Sequence, residues 1–99
     1  MDKDEVIRLI KEHYNVLQSE YGISRIGIFG SVVKGTMTID SDLDIVVEFN
    51  KPIGFKFFRL VEYLENLFGT KVDLVTKDGI KNIRVKEVAR DIERDLVYV

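Results

Sequence analysis

Between Ser41 and Asn50 the chain alternates strictly. Leu43, Ile45, Val47 and Phe49 fall on one side of an extended segment, and Asp42, Asp44, Val46 and Glu48 fall on the other. Side chains alternate across a strand with a period of two, so this stretch commits one face to an apolar core and leaves two carboxylates on the opposite face. The Cα atoms of Asp42 and Asp44 lie about 6.5–7 Å apart at the rise of a strand, close enough for both side chains to reach one or two cations. Whatever fold the chain adopts must bury one side of this strand and keep the start of the other side open.

The remaining periodicities supply the partners for that strand. Asp4–Tyr21 reads as an amphipathic helix, with Val6, Ile7, Leu9, Ile10, Tyr14, Leu17 and Tyr21 at three- and four-residue steps and Gly22 as its stop. His13 lies within it and is assigned no function. Ile23–Phe29 is a β-branched run that reads as a first strand, ending at Gly30-Ser31, with a single helical turn over 32–35 and a polar loop over 36–41. After the break at 50–54, Phe55–Phe68 reads as a second long helix with Phe58, Val61, Leu64, Leu67 and Phe68 inward and Gly69 as its stop. Lys71–Thr76 is a third strand, with Val72 and Leu74 on one face and Asp73 and Val75 on the other. Asp78-Gly79 marks a turn, and a last helix is expected from about Ile80 to Glu93 with Ile83, Val88 and Ile92 inward. Leu96–Val99 is a short strand or an apolar tail. The order predicts one α/β (α+β) domain over residues 1–99.

Composition narrows the function. A net charge of −2 supplies no global positive field for nucleic acid, so direct nucleic-acid binding is not expected. The absence of cysteine removes disulfides and thiolate metal sites. No apolar run approaches the roughly 20 residues of a membrane span, and the start, Met1-Asp2-Lys3-Asp4-Glu5, is unlike a signal peptide, which makes the cytoplasm the default location. The basic residues Lys81, Arg84, Lys86 and Arg90 of the last helix suit an acidic partner or, alternating with Glu87, Asp91 and Glu93, a solvated face. Phe55 and Phe57 suit an oligomer interface or helix-end packing equally.

Asp73 is the acid of the third strand, flanked by Val72 and Leu74. If that strand lies beside Leu43–Phe49, Asp73 joins Asp42 and Asp44. Three carboxylates so close repel one another unless a cation compensates, and an oxygen-only donor set favours Mg²⁺ or Mn²⁺ over zinc. Other phosphate and metal motifs fail at essential positions. Gly35 is followed by Thr36 rather than the Lys of a P-loop, and Gly27 and Gly30 have the wrong spacing for a dinucleotide fingerprint. Asp40, Asp42 and Asp44 imitate the start of a calcium loop, but Ile45 and Lys51 occupy the places of its glycine and glutamate.

Gly30-Ser31-Val32-Val33-Lys34-Gly35, then Asp40-Ser41-Asp42-Leu43-Asp44-Ile45-Val46-Val47, then Val72-Asp73-Leu74-Val75, resemble the signature of the DNA polymerase beta-like nucleotidyltransferase superfamily. In length and layout the chain is similar to its minimal nucleotidyltransferases, the MNT proteins often paired with HEPN-domain partners. The resemblance implies a palm-like fold, a small mixed sheet with helices packed on one face. It implies that Gly30 and Ser31 hold a nucleotide triphosphate, that Asp42 and Asp44 bind two Mg²⁺ ions, and that Asp73 binds the catalytic metal and helps activate the acceptor hydroxyl. Lys34 stands where such proteins commonly have Arg; it keeps the charge for phosphate contact but loses the bidentate fork. The implied reaction is attack of a hydroxyl on the α-phosphorus of ATP with loss of pyrophosphate. Little of the chain is left for an acceptor-binding domain, so the acceptor is expected on another protein. For the MNT group the resemblance implies an antitoxin that adenylylates a HEPN toxin. Two alternatives stand beside it: an antitoxin that acts by complex formation alone, and a nucleotidyltransferase for a small molecule. A homo-oligomer is compatible with each.

Overall fold

A computed structural model describes residues 1–83 and 86–99. Its elements are α1 (Lys3–Glu12), α2 (Tyr14–Tyr21), β1 (Ile23–Phe29), α3 (Ser31–Lys34), β2 (Leu43–Phe49), α4 (Lys56–Phe68), β3 (Val72–Thr76), α5 (Lys77–Lys81), α6 (Lys86–Asp95) and β4 (Val97–Tyr98). The strands form one mixed sheet in the order β3-β2-β1-β4. β1 runs antiparallel to β2 and to β4, whereas β2 and β3 are parallel. The parallel pair is joined by α4, the helical crossover that such a pair requires.

The alternation in β1 and β2 sorts the two faces of this sheet. Ile26 and Ile28 of β1 and Leu43, Ile45 and Val47 of β2 meet Val6, Ile10, Leu17, Leu60 and Leu64 in one core, and none of these ten is more than 1% exposed. The opposite face is a smaller cluster of Phe29, Val46 and Ile80, packed with Val75, Ile83, Ala89, Ile92, Leu96 and Tyr98. α1, α2 and α4 therefore form the expected helical layer on one face. α5 and α6 add a thinner layer to the other, because Phe29, Val46 and Val75 also need cover.

Three sequence expectations change in detail. The first helix is interrupted at His13, whose backbone (φ −108°, ψ 8°) leaves the helical region. The His13 N–H divides between the Leu9 and Ile10 carbonyls, and Nδ1 also lies 2.9 Å from the Leu9 oxygen, so the imidazole shares an acceptor with the backbone. In α4 the buried stripe is Leu60, Leu64 and Phe68, four residues apart, and Phe58 lies off it, 69% exposed. The Asp78-Gly79 turn is part of α5, capped by Thr76 Oγ1, which accepts from the Gly79 N–H at 3.0 Å. α6 spans Lys86–Asp95, with Val88 47% exposed while Ile83 and Ile92 pack inward. Arg84 lies outside the described residues. Within Leu96–Val99, Val97–Tyr98 forms a strand; a Cβ at its neighbour Gly27 would press on the Val97 carbonyl at 3.0 Å.

Candidate active site

The register of β2 and β3 brings two of the predicted acids side by side. Asp44 pairs with Asp73, flanked by Leu43–Val72 and Ile45–Leu74. Neighbouring strands lie about 4.8 Å apart, and in-register residues share a face, so both carboxylates rise from the sheet together. The Leu43 N–H donates to the Lys71 carbonyl at 2.8 Å, which fixes the start of β2 against the start of β3. Asp42 precedes β2 by one residue and follows a tight turn, in which the Ser41 N–H donates to the Thr38 carbonyl at 3.0 Å and the Thr38 N–H donates to Ser41 Oγ at 3.0 Å.

Gly30 closes the other side. It sits between β1 and the one-turn helix α3, and its carbonyl accepts from the Val33 and Lys34 N–H groups at 3.1 Å each. Its φ of 73° with ψ of −144° is a conformation for glycine alone, and a Cβ built there would collide with the Asp44 carboxylate. The close approach of this backbone to Asp44 is therefore bought by the missing side chain. Ser31, half-buried, opens α3 immediately afterwards.

Asp44 is half-buried, while Asp42 and Asp73 are exposed. Burial, with the charges of Asp73 and then Asp42, pushes the Asp44 carboxyl up to about 6. Phe29, Gly30, Lys34 and Asp44 line a cleft of about 250 Å³, whose other wall is α6 with Asp91 and Asp95. Lys34 Nζ lies 3.3 Å from Asp95 Oδ2, and Arg94 Nε lies 3.7 Å from Asp95 Oδ1.

The structure thus brings Gly30, Lys34 and Asp44 to one cleft, with Asp42 and Asp73 beside Asp44 on the same sheet face and Ser31 at its edge. Among the described residues, no three acidic or histidine side chains are gathered tightly enough to form a metal cage. The chemistry of the donor set nevertheless fits a hard divalent cation. Its members are all carboxylates, Asp73 and Asp42 add to the cost of ionising Asp44, and the glycine cradle keeps Asp44 free of a covering side chain. Asp91 and Asp95 were not legible as wall residues. A helix puts 88, 91, 92 and 95 on one face, but the sequence reading ends the last helix at Glu93, two residues short of Asp95.

Residues 10–99 match the family model for the nucleotidyltransferase domain. "Putative protein adenylyltransferase MJ1379" of Methanocaldococcus jannaschii is 42% identical over 96% of this chain and 95% of its own length. "Protein adenylyltransferase MntA" of Thermococcus cleftensis is 40% identical over 97% of this chain and 94% of its own. A solved structure described as a putative minimal nucleotidyltransferase superposes with a TM-score of 0.71 at 31% identity, covering 98% of this chain and 95% of that one. A toxin–antitoxin crystal structure with AMP-PNP shares the fold at a TM-score of 0.63 and 19% identity, covering 99% of this chain and 72% of the matched one. With its acids in register across β2 and β3 and these relatives along nearly its whole length, the chain belongs to the nucleotidyltransferase-domain family and is a nucleotidyltransferase of the minimal kind.

Proposed function

We propose that the protein transfers AMP from ATP to a hydroxyl of a partner protein in a Mg²⁺-dependent reaction, and that it serves as the antitoxin of a pair whose toxin is a HEPN-domain protein. The observation that carries the reading is the in-register pair Asp44–Asp73, with the Asp42 charge acting on Asp44 and the Gly30 turn pressed against it. The names of the relatives support protein adenylylation, and the fold shared with an AMP-PNP-bearing toxin–antitoxin structure supports the nucleotide and the toxin.

Each residue then has a task in the chain's own terms. Gly30 and Ser31 bring backbone close to the triphosphate, and Lys34 offers a positive charge to it. Asp42, Asp44 and Asp73 hold the Mg²⁺ ions. Bound there, Mg²⁺ stabilises negative charge on the attacking and leaving oxygens. Asp73, exposed on the edge strand β3, would orient the acceptor hydroxyl and take up its proton.

The test is incubation with ATP, Mg²⁺ and the product of the neighbouring gene. Label from the α-phosphate is expected on the partner, label from the γ-phosphate is not, and chelation of the metal stops transfer. A folded, correctly identified partner that acquires no α-label contradicts the reading. Neutralisation of the toxin that persists in an Asp42→Asn, Asp44→Asn double variant would favour complex formation alone.

A further inference from the structure

The reading above gives Lys34 to the nucleotide, yet the structure gives it to α6. Its Nζ lies 3.3 Å from Asp95 Oδ2, at the end of the helix that forms the outer wall of the cleft. The Asp95 side chain is only 18% exposed, against 50% for Lys34, so the fixed member of the pair is the acid and the mobile one is the lysine. Arg94 is shared between the two acids of this wall: its Nη2 lies 3.3 Å from Asp91 Oδ1 and its Nε 3.7 Å from the second carboxylate oxygen of Asp95.

The charges facing the cleft make this pairing consequential. Among the described residues that line it, Asp44, Asp91 and Asp95 oppose Lys34, and Asp42 and Asp73 stand beyond Asp44. With Asp42, Asp44 and Asp73 given to Mg²⁺, an entering polyphosphate faces Lys34 and the acids of α6, and the Lys34 charge is already met by Asp95. A phosphate that takes the Lys34 ammonium must break the contact with Asp95. The released carboxylate keeps Arg94 within reach and is not left alone.

We infer that Asp95 is an internal counter-ion that competes with the nucleotide for Lys34, so that nucleotide entry must displace the Lys34–Asp95 contact. This rests on the reading of the cleft as a nucleotide site and adds a regulatory contact within it. Asp95 is a positioning residue here: it acts on the nucleotide through Lys34.

The experiment is calorimetric binding of a non-hydrolysable ATP analogue with Mg²⁺, which needs no turnover and no acceptor. Asp95→Asn, close in shape and uncharged, is expected to bind about two- to fivefold more tightly, the scale of a partly exposed ion pair, with the gain shrinking at high salt. In a Lys34→Met background the same change is expected to have little effect, because the competition no longer exists. Arg94→Met, at an exposed position that leaves the fold alone, gives Asp95 wholly to Lys34 and is expected to weaken binding in the Lys34 protein but not in the Lys34→Met protein. Tighter binding that survives Lys34→Met, or an unchanged or weaker affinity in Asp95→Asn, overturns the inference while leaving the nucleotide site standing. If Lys34→Met itself does not weaken binding, or no analogue binds, the reading of the site falls and the inference with it.

Discussion

The two faces of the sheet are built from the same two strands and obey different rules. On the face covered by α1, α2 and α4, each inward side chain of β2 is aliphatic or aromatic, and Leu43, Ile45 and Val47 are sealed. On the other face the same strand offers Asp44, Val46 and Glu48, covered in part by α5 and α6, and the cluster of buried apolar residues there is confined to Phe29, Val46 and Ile80. The first face holds the fold together through apolar burial. The second accepts a half-buried carboxylate pushed up to about 6 by desolvation and by like charges, a cost that burial on the first face must offset. One strand can serve both because a period of two separates the tasks atom by atom.

That contrast can be broken most forcefully from the apolar side. Leu64→Ala, in the sealed layer, is expected to cost about 2–5 kcal/mol in chemical denaturation while nucleotide transfer per folded molecule stays unchanged. Asp44→Asn should do the reverse, cutting transfer by about a hundredfold or more without weakening the fold. Its thermal behaviour follows from the sign of the shift. The folded protein keeps the Asp44 proton up to about pH 6, whereas the unfolded chain loses it near the ordinary value of 3.8. The native state therefore binds more protons in between, and stability falls as pH rises across that window. Asp44→Asn lacks this loss, so its melting temperature should exceed that of the wild type above pH 6, with the gap closing as pH falls towards 4.

Gly30→Ala tests the join between the faces. It forces a Cβ into a left-handed conformation and against the Asp44 carboxylate, so a stability loss of about 1–3 kcal/mol should accompany reduced transfer. The smallest effect is expected at Phe58, which is exposed and off the buried stripe of α4. Phe58→Ser should change stability by no more than about 0.5 kcal/mol, read by the denaturation midpoint.

Period-two alternation is a strong signal: the sequence ranges of β1 and β2 coincide with those observed, and in β2 the apolar side Leu43, Ile45 and Val47 is the one that faces the main core. Helical stripes were less legible. In Phe55–Phe68 nearly every turn offers an apolar residue on more than one side, and Phe58 competes with Leu60 until the sheet selects the 60-64-68 line. The break at His13, where a ring nitrogen sits against the Leu9 carbonyl, follows from no residue propensity. In the site, the acids and the glycine turn were legible because their chemistry is unusual for their positions. The alignment of Asp44 with Asp73 needed the strand register, and the approach of Asp95 to Lys34 needed the docking of α6 against β1. Contacts of that kind join residues far apart in the chain and leave no local pattern.

The central claim is that the acid-bearing face performs metal-dependent transfer and contributes little to folding. Asp73 tests it most directly, because it is exposed on an edge strand and tied to Asp44 through register. Transfer of α-labelled ATP to the partner protein should be measured on Asp73→Asn alongside its melting curve. The account predicts loss of transfer with a melting temperature equal to or above that of the wild type. Wild-type transfer by a folded Asp73→Asn protein would contradict it.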